Sequence, residues 1–206
     1  LAATLGINMV EYAKFEEKLP LDRSSVSIVR DPNKCILCGR CIQVCSNIQT
    51  VNALAVNHRG WETVIGTAFN AGLGNSVCIN CGQCVVHCPV GALYENSSVE
   101  AVWEALHDPD KFVVVQEAPA VRAMLGEEFG MPPGSLVTGK MYAALRRLGF
   151  DAVMDTNFSA DLTILEEGTE LVSRLTSGKN LPLITSCSPG WIKFMETFFH
   201  DMIPHM

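Results

Sequence analysis

The period of apolar and polar positions changes along the chain, and the changes mark its elements. In the second half, the apolar run 112–115 closed by Gln116 is read as a buried strand over 112–116, and 152–154 form a second strand. Residues 120–129 and 138–148 carry the three-to-four spacing of helices. A long helix is expected from a cap at Asn157 or Ser159 through Leu175, closed by Gly178, with a third strand at 181–185. That β-α-β-α-β order implies an α/β domain with a parallel sheet and covering helices. Upstream the signals differ. Residues 51–64 read as a hairpin around the turn signal His58-Arg59-Gly60. Gly72-Leu73-Gly74 lacks the strand-to-helix context of a nucleotide loop and reads as a plain turn. His107-Asp108-Pro109-Asp110 reads as a linker.

Eight of the nine cysteines lie in two runs of one pattern, C-x2-C-x2-C-x3-C: Cys35, Cys38, Cys41 and Cys45, then Cys78, Cys81, Cys84 and Cys88. A [4Fe-4S] cubane needs four converging thiolates, and the x2 spacing lets one tight loop supply three. The fourth is expected to begin the following helix, face away and ligate the partner cluster. This assigns Cys35, Cys38, Cys41 and Cys88 to one cluster and Cys78, Cys81, Cys84 and Cys45 to the other. Disulfides fit poorly, because nine cysteines in 206 residues fall below the roughly 8–10% of disulfide scaffolds and triple x2 spacing is poor bridge geometry. Structural zinc prefers paired knuckles to triplets. Pro89 follows the fourth cysteine of the second run, whereas the first run has Ser46, a residue that caps a helix start well. With the ligand count complete, His58 and His87 read as solvated or packed side chains.

Composition narrows the partners. Hydrophobic content of 48% is that of a folded globular protein. A formal charge of −7, with no basic run beyond Arg146-Arg147, argues against nucleic acid. The longest apolar stretches are strand-sized, so no transmembrane segment is expected. The first residues carry neither an initiator Met nor a signal-like pattern, so 1–30 is expected to be a leading segment from an upstream region.

The ninth thiol, Cys187, stands alone at the carboxyl end of the third expected strand, where ligands of parallel sheets bind. It reads as a small buried hydrophobe, a nucleophile or a metal ligand, and the upstream pair of cluster motifs favours ligation.

Residues 31–95 resemble the two-cluster bacterial ferredoxins. Downstream, VVVQEAPAVRAMLGEEFG (113–130), VTGKMYAALRRLGFDAVMDTNFSADLTILEEGTELVSR (137–174) and TSCSPGW (185–191) resemble the start of the catalytic domain of [FeFe]-hydrogenases. The resemblance implies an α+β ferredoxin-like two-[4Fe-4S] domain at 31–99, followed by the N-terminal part of the α/β H-cluster domain at 100–206. It further implies an H-cluster, a [4Fe-4S] cubane joined through a cysteine sulfur to a two-iron centre, where protons and electrons form or split H2. In that family two adjacent cysteines are common, one binding the cubane and its neighbour passing protons to the two-iron centre; here Ser188 follows Cys187. Cys187 is therefore expected as ligand and Ser188 in the proton path, the opposite assignment remaining open. The resemblance places Glu167 and Glu170 in a proton relay, against a plain reading as two exposed acids. It places Ala118 and Pro119 against the cluster pocket, against a plain reading as a helix start. No cysteine follows Cys187, so these residues are expected to be an incomplete catalytic subunit that moves electrons without making hydrogen. Expected partners are flavin- and NAD(P)-binding subunits, further iron–sulfur subunits and, as an alternative donor, ferredoxin; some such family members are electron-bifurcating. The expected compartment is the cytoplasm. Two further classes share parts of the pattern: hydrogenase-like proteins of eukaryotic iron–sulfur assembly and the iron–sulfur subunit of respiratory NADH dehydrogenases.

Overall fold

A computed structural model describes residues 4–6 and 18–206. Of the expected leading segment, 1–3 and 7–17 lie outside the described residues. In chain order the elements are β1 (Ile28–Arg30), α1 (Arg40–Gln43), β2 (Ala55–Asn57), β3 (Val64–Gly66), α2 (Gln83–Val86), β4 (Leu93–Glu95) and α3 (Val99–His107). They continue as β5 (Val114–Gln116), α4 (Pro119–Glu128), α5 (Thr138–Leu148), β6 (Ala152–Met154), α6 (Thr156–Ser177) and α7 (Pro189–Phe198). Two compact units result: Leu1–Asn96 with Pro189–Thr197, and Ser97–Ser188 with Phe198–Met206.

The first unit is built on two antiparallel pairs. β1 pairs with β4, Val29 opposite Tyr94, so residues upstream of the first cysteine are part of its frame. β2 pairs with β3, Val56 opposite Ile65. The hairpin between them turns where expected, with His58 and Gly60 both at positive φ. The core joins Ile28, Val51, Leu54, Ile65, Leu73, Ile79 and Leu93 to Cys41, Cys78 and Cys84. Burial of each large aliphatic contributes about 1.5–3 kcal/mol, so these side chains hold the cysteine loops against one another.

In the second unit β5 and β6 are parallel, Val115 opposite Val153. α5 spans the expected 138–148 and ends at Gly149 in the left-handed region. α6 also closes as expected, on left-handed Gly178, but its cap is Asp155, whose carboxylate accepts from Asn157 N at 2.9 Å. Asn157 and Ser159 lie inside the helix. Two strand expectations are corrected. Residues 181–185 form no strand: Pro182 has no N–H to give a ladder, and Ile184 N donates instead to His205 O at 2.8 Å. The 112–116 run is not buried, Phe112 being 75% and Val114 48% exposed, because among the described residues β5 pairs only with β6. The expected linker at 107–110 is the end of α3 and a turn in which Asp110 N donates to Asp108 Oδ1 at 3.1 Å. Among the described residues no helix is long and apolar enough to cross a membrane.

Gly72-Leu73-Gly74 forms the plain turn expected, and it docks against residue 24. A Cβ on Gly74 would stand 2.1 Å from Ser24 O, a backbone atom with no freedom to move aside. Gly74→Ala is expected to destabilise the first unit by about 2 kcal/mol, measured by denaturant unfolding, while Gly168→Ala, whose Cβ would meet open space, leaves the second unit, to which it belongs, no less stable.

Candidate metal centres

Each cysteine loop uses the same backbone device. Leu37 and Asn80 lie in the left-handed region between the first two cysteines, and Gly39 and Gly82 lie there immediately before α1 and α2. Glycine takes that conformation without strain and asparagine, as at Asn80, tolerates it; Leu37 occupies it against its steric preference. The turn brings N–H groups onto the sulfurs: Leu37 N donates to Cys35 Sγ at 3.4 Å and Asn80 N to Cys78 Sγ at 3.5 Å. The fourth cysteines are served from the loops that follow them, by Ala53 N on Cys45 Sγ at 3.3 Å and Ala92 N on Cys88 Sγ at 3.2 Å.

The helices start one residue before the third cysteines, Cys41 and Cys84, rather than at the fourth. Cys45 sits in a π-helical segment, Val44–Ile48, and Cys88 in the turn after α2. Fixing the third cysteine in a helix leaves the fourth one turn further on, beyond the regular α-helix. Ser46 is consequently no cap; its hydroxyl donates back to Gln43 O at 3.5 Å within the π segment.

Two apolar cavities lie within the first unit. Cys35, Cys38, Cys41 and Cys88 line one, with Ile36, Ile65 and Leu93 among its walls. Cys45, Cys78, Cys81 and Cys84 line the other, with Ile28, Leu54 and Ile79. The fourth cysteine of each run faces the cavity of the other run. Four thiols, apolar walls and N–H groups on the sulfurs fit an iron–sulfur cluster. Among the described residues no three His, Cys, Asp or Glu side chains are grouped to hold a single ion. Zinc would need all four sulfurs at about 2.3 Å from one point. His87 lies exposed at the rim of the first cavity, its Nδ1 2.8 Å from Gln83 O, and exposed His58 lies against Asn70.

Burial shapes the thiols. Cys41 is pushed up to about 11 by desolvation and then by the neighbouring Cys35. Cys84 is pushed up to about 12 by desolvation and then by Cys78 and Cys81. Desolvation also raises Cys78. At Cys88 desolvation acts upward too, but the N–H groups of Val90, Leu93, Ala92 and Gly91 outweigh it and the thiol is lowered.

In the second unit Cys187 is exposed, which overturns its reading as a buried hydrophobe. Ser188 N donates to Ser186 Oγ at 3.1 Å. Ala118 is the N-cap of α4 and Pro119 its first residue, the helix-start role of the plain reading. Glu167 is half-buried on α6, and Glu170, one turn further along, accepts from Arg174 Nε at 2.9 Å. One thiol is a single ligand, so these residues do not by themselves make a complete H-cluster site. Glu117 was not singled out in the sequence. It is 6% exposed, ion-paired with Arg122 at 3.4 Å, and accepts from Tyr142 Oη at 3.2 Å and Thr156 N at 3.3 Å. Its one sequence signal was its place just past the carboxyl end of β5.

Residues 111–206 match the family described as iron only hydrogenase large subunit, C-terminal domain, and 25–94 match the ferredoxin-like domain of NADH-quinone oxidoreductase subunit 3. The chain is 51% identical over 209 residues to the NADP-reducing hydrogenase subunit HndD of Solidesulfovibrio fructosivorans, covering 98% of this chain and 36% of that protein. It is 42% identical over 186 residues to iron hydrogenase 1 of Clostridium pasteurianum, covering 90% of this chain and 32% of that protein. It is 31% identical over 140 residues to cytosolic iron-sulfur assembly component 3 of Bos taurus, covering 63% of this chain and 29% of that protein. The chain thus spans about a third of the length of these relatives.

The raised thiols give the cluster-free form a pH signature. Because Cys41 and Cys84 lie above the ordinary 9.0 when folded, the stability they contribute is fully present below about pH 9 and is lost as pH rises through about 11 and 12. Unfolding of the cluster-free protein across that range is expected to show this loss. Alkylation of the same form is expected to label Cys88 before Cys41 and Cys84.

Proposed function

Because the chain is a hydrogenase-like iron–sulfur protein related to the [FeFe]-hydrogenases, we propose that its cysteine quartets hold two [4Fe-4S] clusters carrying electrons to an H-cluster that interconverts protons and H2. The observation that carries this reading is the exchange of the fourth cysteines, each quartet lining its own apolar cavity. Each cluster, when bound, supplies a one-electron store whose potential the protein sets within roughly −700 to +450 mV. The protein's own part is concrete. The eight thiolates hold the clusters. Leu37, Asn80, Ala53 and Ala92 direct N–H groups at four of the sulfurs, and Ile65, Leu93, Leu54 and Ile28 exclude water.

Toward the H-cluster these residues contribute Cys187 as a ligand, Ser188 beside it as a proton carrier, and Glu167 and Glu170 in a relay along α6. Exposure of the Cys187 thiol and the hold of Arg174 on Glu170 support those roles. Ala118 and Pro119 set the start of α4 at the wall of that pocket. Cys187 is the one cysteine of these residues outside the two quartets, so it is the single cysteine ligand they offer. The Solidesulfovibrio relative is a subunit of an NADP-reducing hydrogenase, which supports partnership with an NAD(P)-linked subunit; flavin-binding and further iron–sulfur subunits, with ferredoxin the alternative donor, belong to the same proposal. Thiolate-held clusters favour the reducing cytoplasm.

A second reading, a hydrogenase-like assembly protein without hydrogen chemistry, draws on the likeness to the Bos taurus protein. Against it stand both complete quartets, more than a cluster carrier requires. The ferredoxin-like match to NADH-quinone oxidoreductase subunit 3 ends at 94 and leaves 111–206 unexplained.

Infrared spectra of the anaerobically prepared full-length protein are expected to show CO and cyanide bands on iron. Cys187→Ala is expected to lose the bands and hydrogen turnover while iron in the two quartets stays. A full-length protein that binds both clusters yet lacks the bands would contradict the hydrogenase reading and favour the assembly one.

A further inference from the structure

The two cavities differ in charge. No ionisable side chain other than the cysteines lines the second, whereas Arg30, Asp31 and, exposed at the rim, His87 line the first. Asp31 faces its own cation, Lys34 Nζ, at 3.9 Å, and Lys193 of α7 acts on Cys78 from outside the second lining. Arg30 is the unusual group, a cation only 8% exposed in an apolar wall. Its guanidinium is fixed by Nη1, which donates at 2.7 Å to the carbonyl of Ile65, another residue of that wall. Nε stands 3.6 Å from Asp22 Oδ2, too far for a hydrogen bond, and has no hydrogen-bond partner. Asp22 is committed elsewhere: it accepts from Ser24 N at 3.1 Å, Ser24 Oγ at 2.6 Å and Leu73 N at 3.0 Å.

A desolvated cation with one orphaned N–H is costly, and its single carboxylate neighbour only partly offsets it. Four thiolates around a cluster in the adjacent cavity supply the missing negative charge. Reduction of that cluster adds one electron and makes or breaks no bond, so it adds one negative charge beside Arg30. Arg30 also lines an open, partly polar pocket with Asp22, Ser24 and Asn70, so solvent screens part of that attraction and the midpoint shift is correspondingly modest.

We propose that Arg30, its charge graded by Asp22, raises the reduction potential of the cluster held by Cys35, Cys38, Cys41 and Cys88. The inference rests on the two-cluster reading above. It makes Arg30 a tuning residue that touches neither substrate nor electron partner.

The test uses the full-length holoprotein, assayed for iron and sulfide and titrated potentiometrically under electron paramagnetic resonance. Arg30→Gln is expected to lower one cluster midpoint, Asp22→Asn to raise the midpoint of the same signal, and Arg30→Lys to leave it near wild type. Asp22→Asn keeps one carbonyl oxygen for Ser24 and loses the Oδ2 acceptor of Leu73 N; read at wild-type iron and sulfide content, it decides the matter even if Arg30→Gln fails to fold. Clusters present at wild-type content with no signal moving, or with both charge-removing variants shifting it the same way, would overturn the role of Arg30. A wild-type protein without iron in the quartets would instead overturn the two-cluster reading.

Discussion

A tight C-x2-C-x2-C loop can aim three thiolates at one point but not four, and the first unit is organised around that limit. Each loop borrows its fourth sulfur from the other, so Cys88 lines the cavity of the first run and Cys45 that of the second. The two runs are 32 residues apart, 78 − 45 − 1, and each must find the other before either cavity is complete. The β1–β4 pair and the β2–β3 hairpin bring them together, and the apolar core that fixes those strands is the same core that buries Cys41, Cys78 and Cys84. Fold and metal site are therefore one cooperative object, with cluster binding contributing to folding free energy.

That arrangement places buried thiols at odds with their own chemistry. Desolvation favours the neutral thiol, whereas ligation requires the thiolate. The N–H groups turned onto the sulfurs by Leu37, Asn80 and the segments at Ala53 and Ala92 reduce the conflict, and loading with iron removes it. The second unit works by a different logic, with a parallel strand pair whose carboxyl ends carry Glu117 and Asp155, both within reach of Arg122.

Much of this was legible in the chain. Cysteine spacing carried the expectation of two quartets with exchanged fourth cysteines, and each of those quartets lines one cavity. The hairpin turn at 58–60 and the bounds of α5 followed from side-chain types that act on their own backbone. What failed was tertiary. Residues 181–185 are apolar enough for a strand, but a strand needs a neighbour, and Ile184 found His205 instead. The cap of α6 fell to Asp155 because β6 ends there and turns directly into the helix. Arg30 and Glu117 were invisible as sequence, since one arginine or glutamate looks solvated until the fold buries it.

The exchange of the fourth thiolate is tested most directly by labelling. In the Cys88→Ala holoprotein, iodoacetamide followed by mass spectrometry is predicted to mark Cys35, Cys38 and Cys41 while Cys78, Cys81 and Cys84 stay protected. Labels on Cys78, Cys81 and Cys84 instead, with the first loop protected, would mean that each run serves its own cluster and would contradict the account.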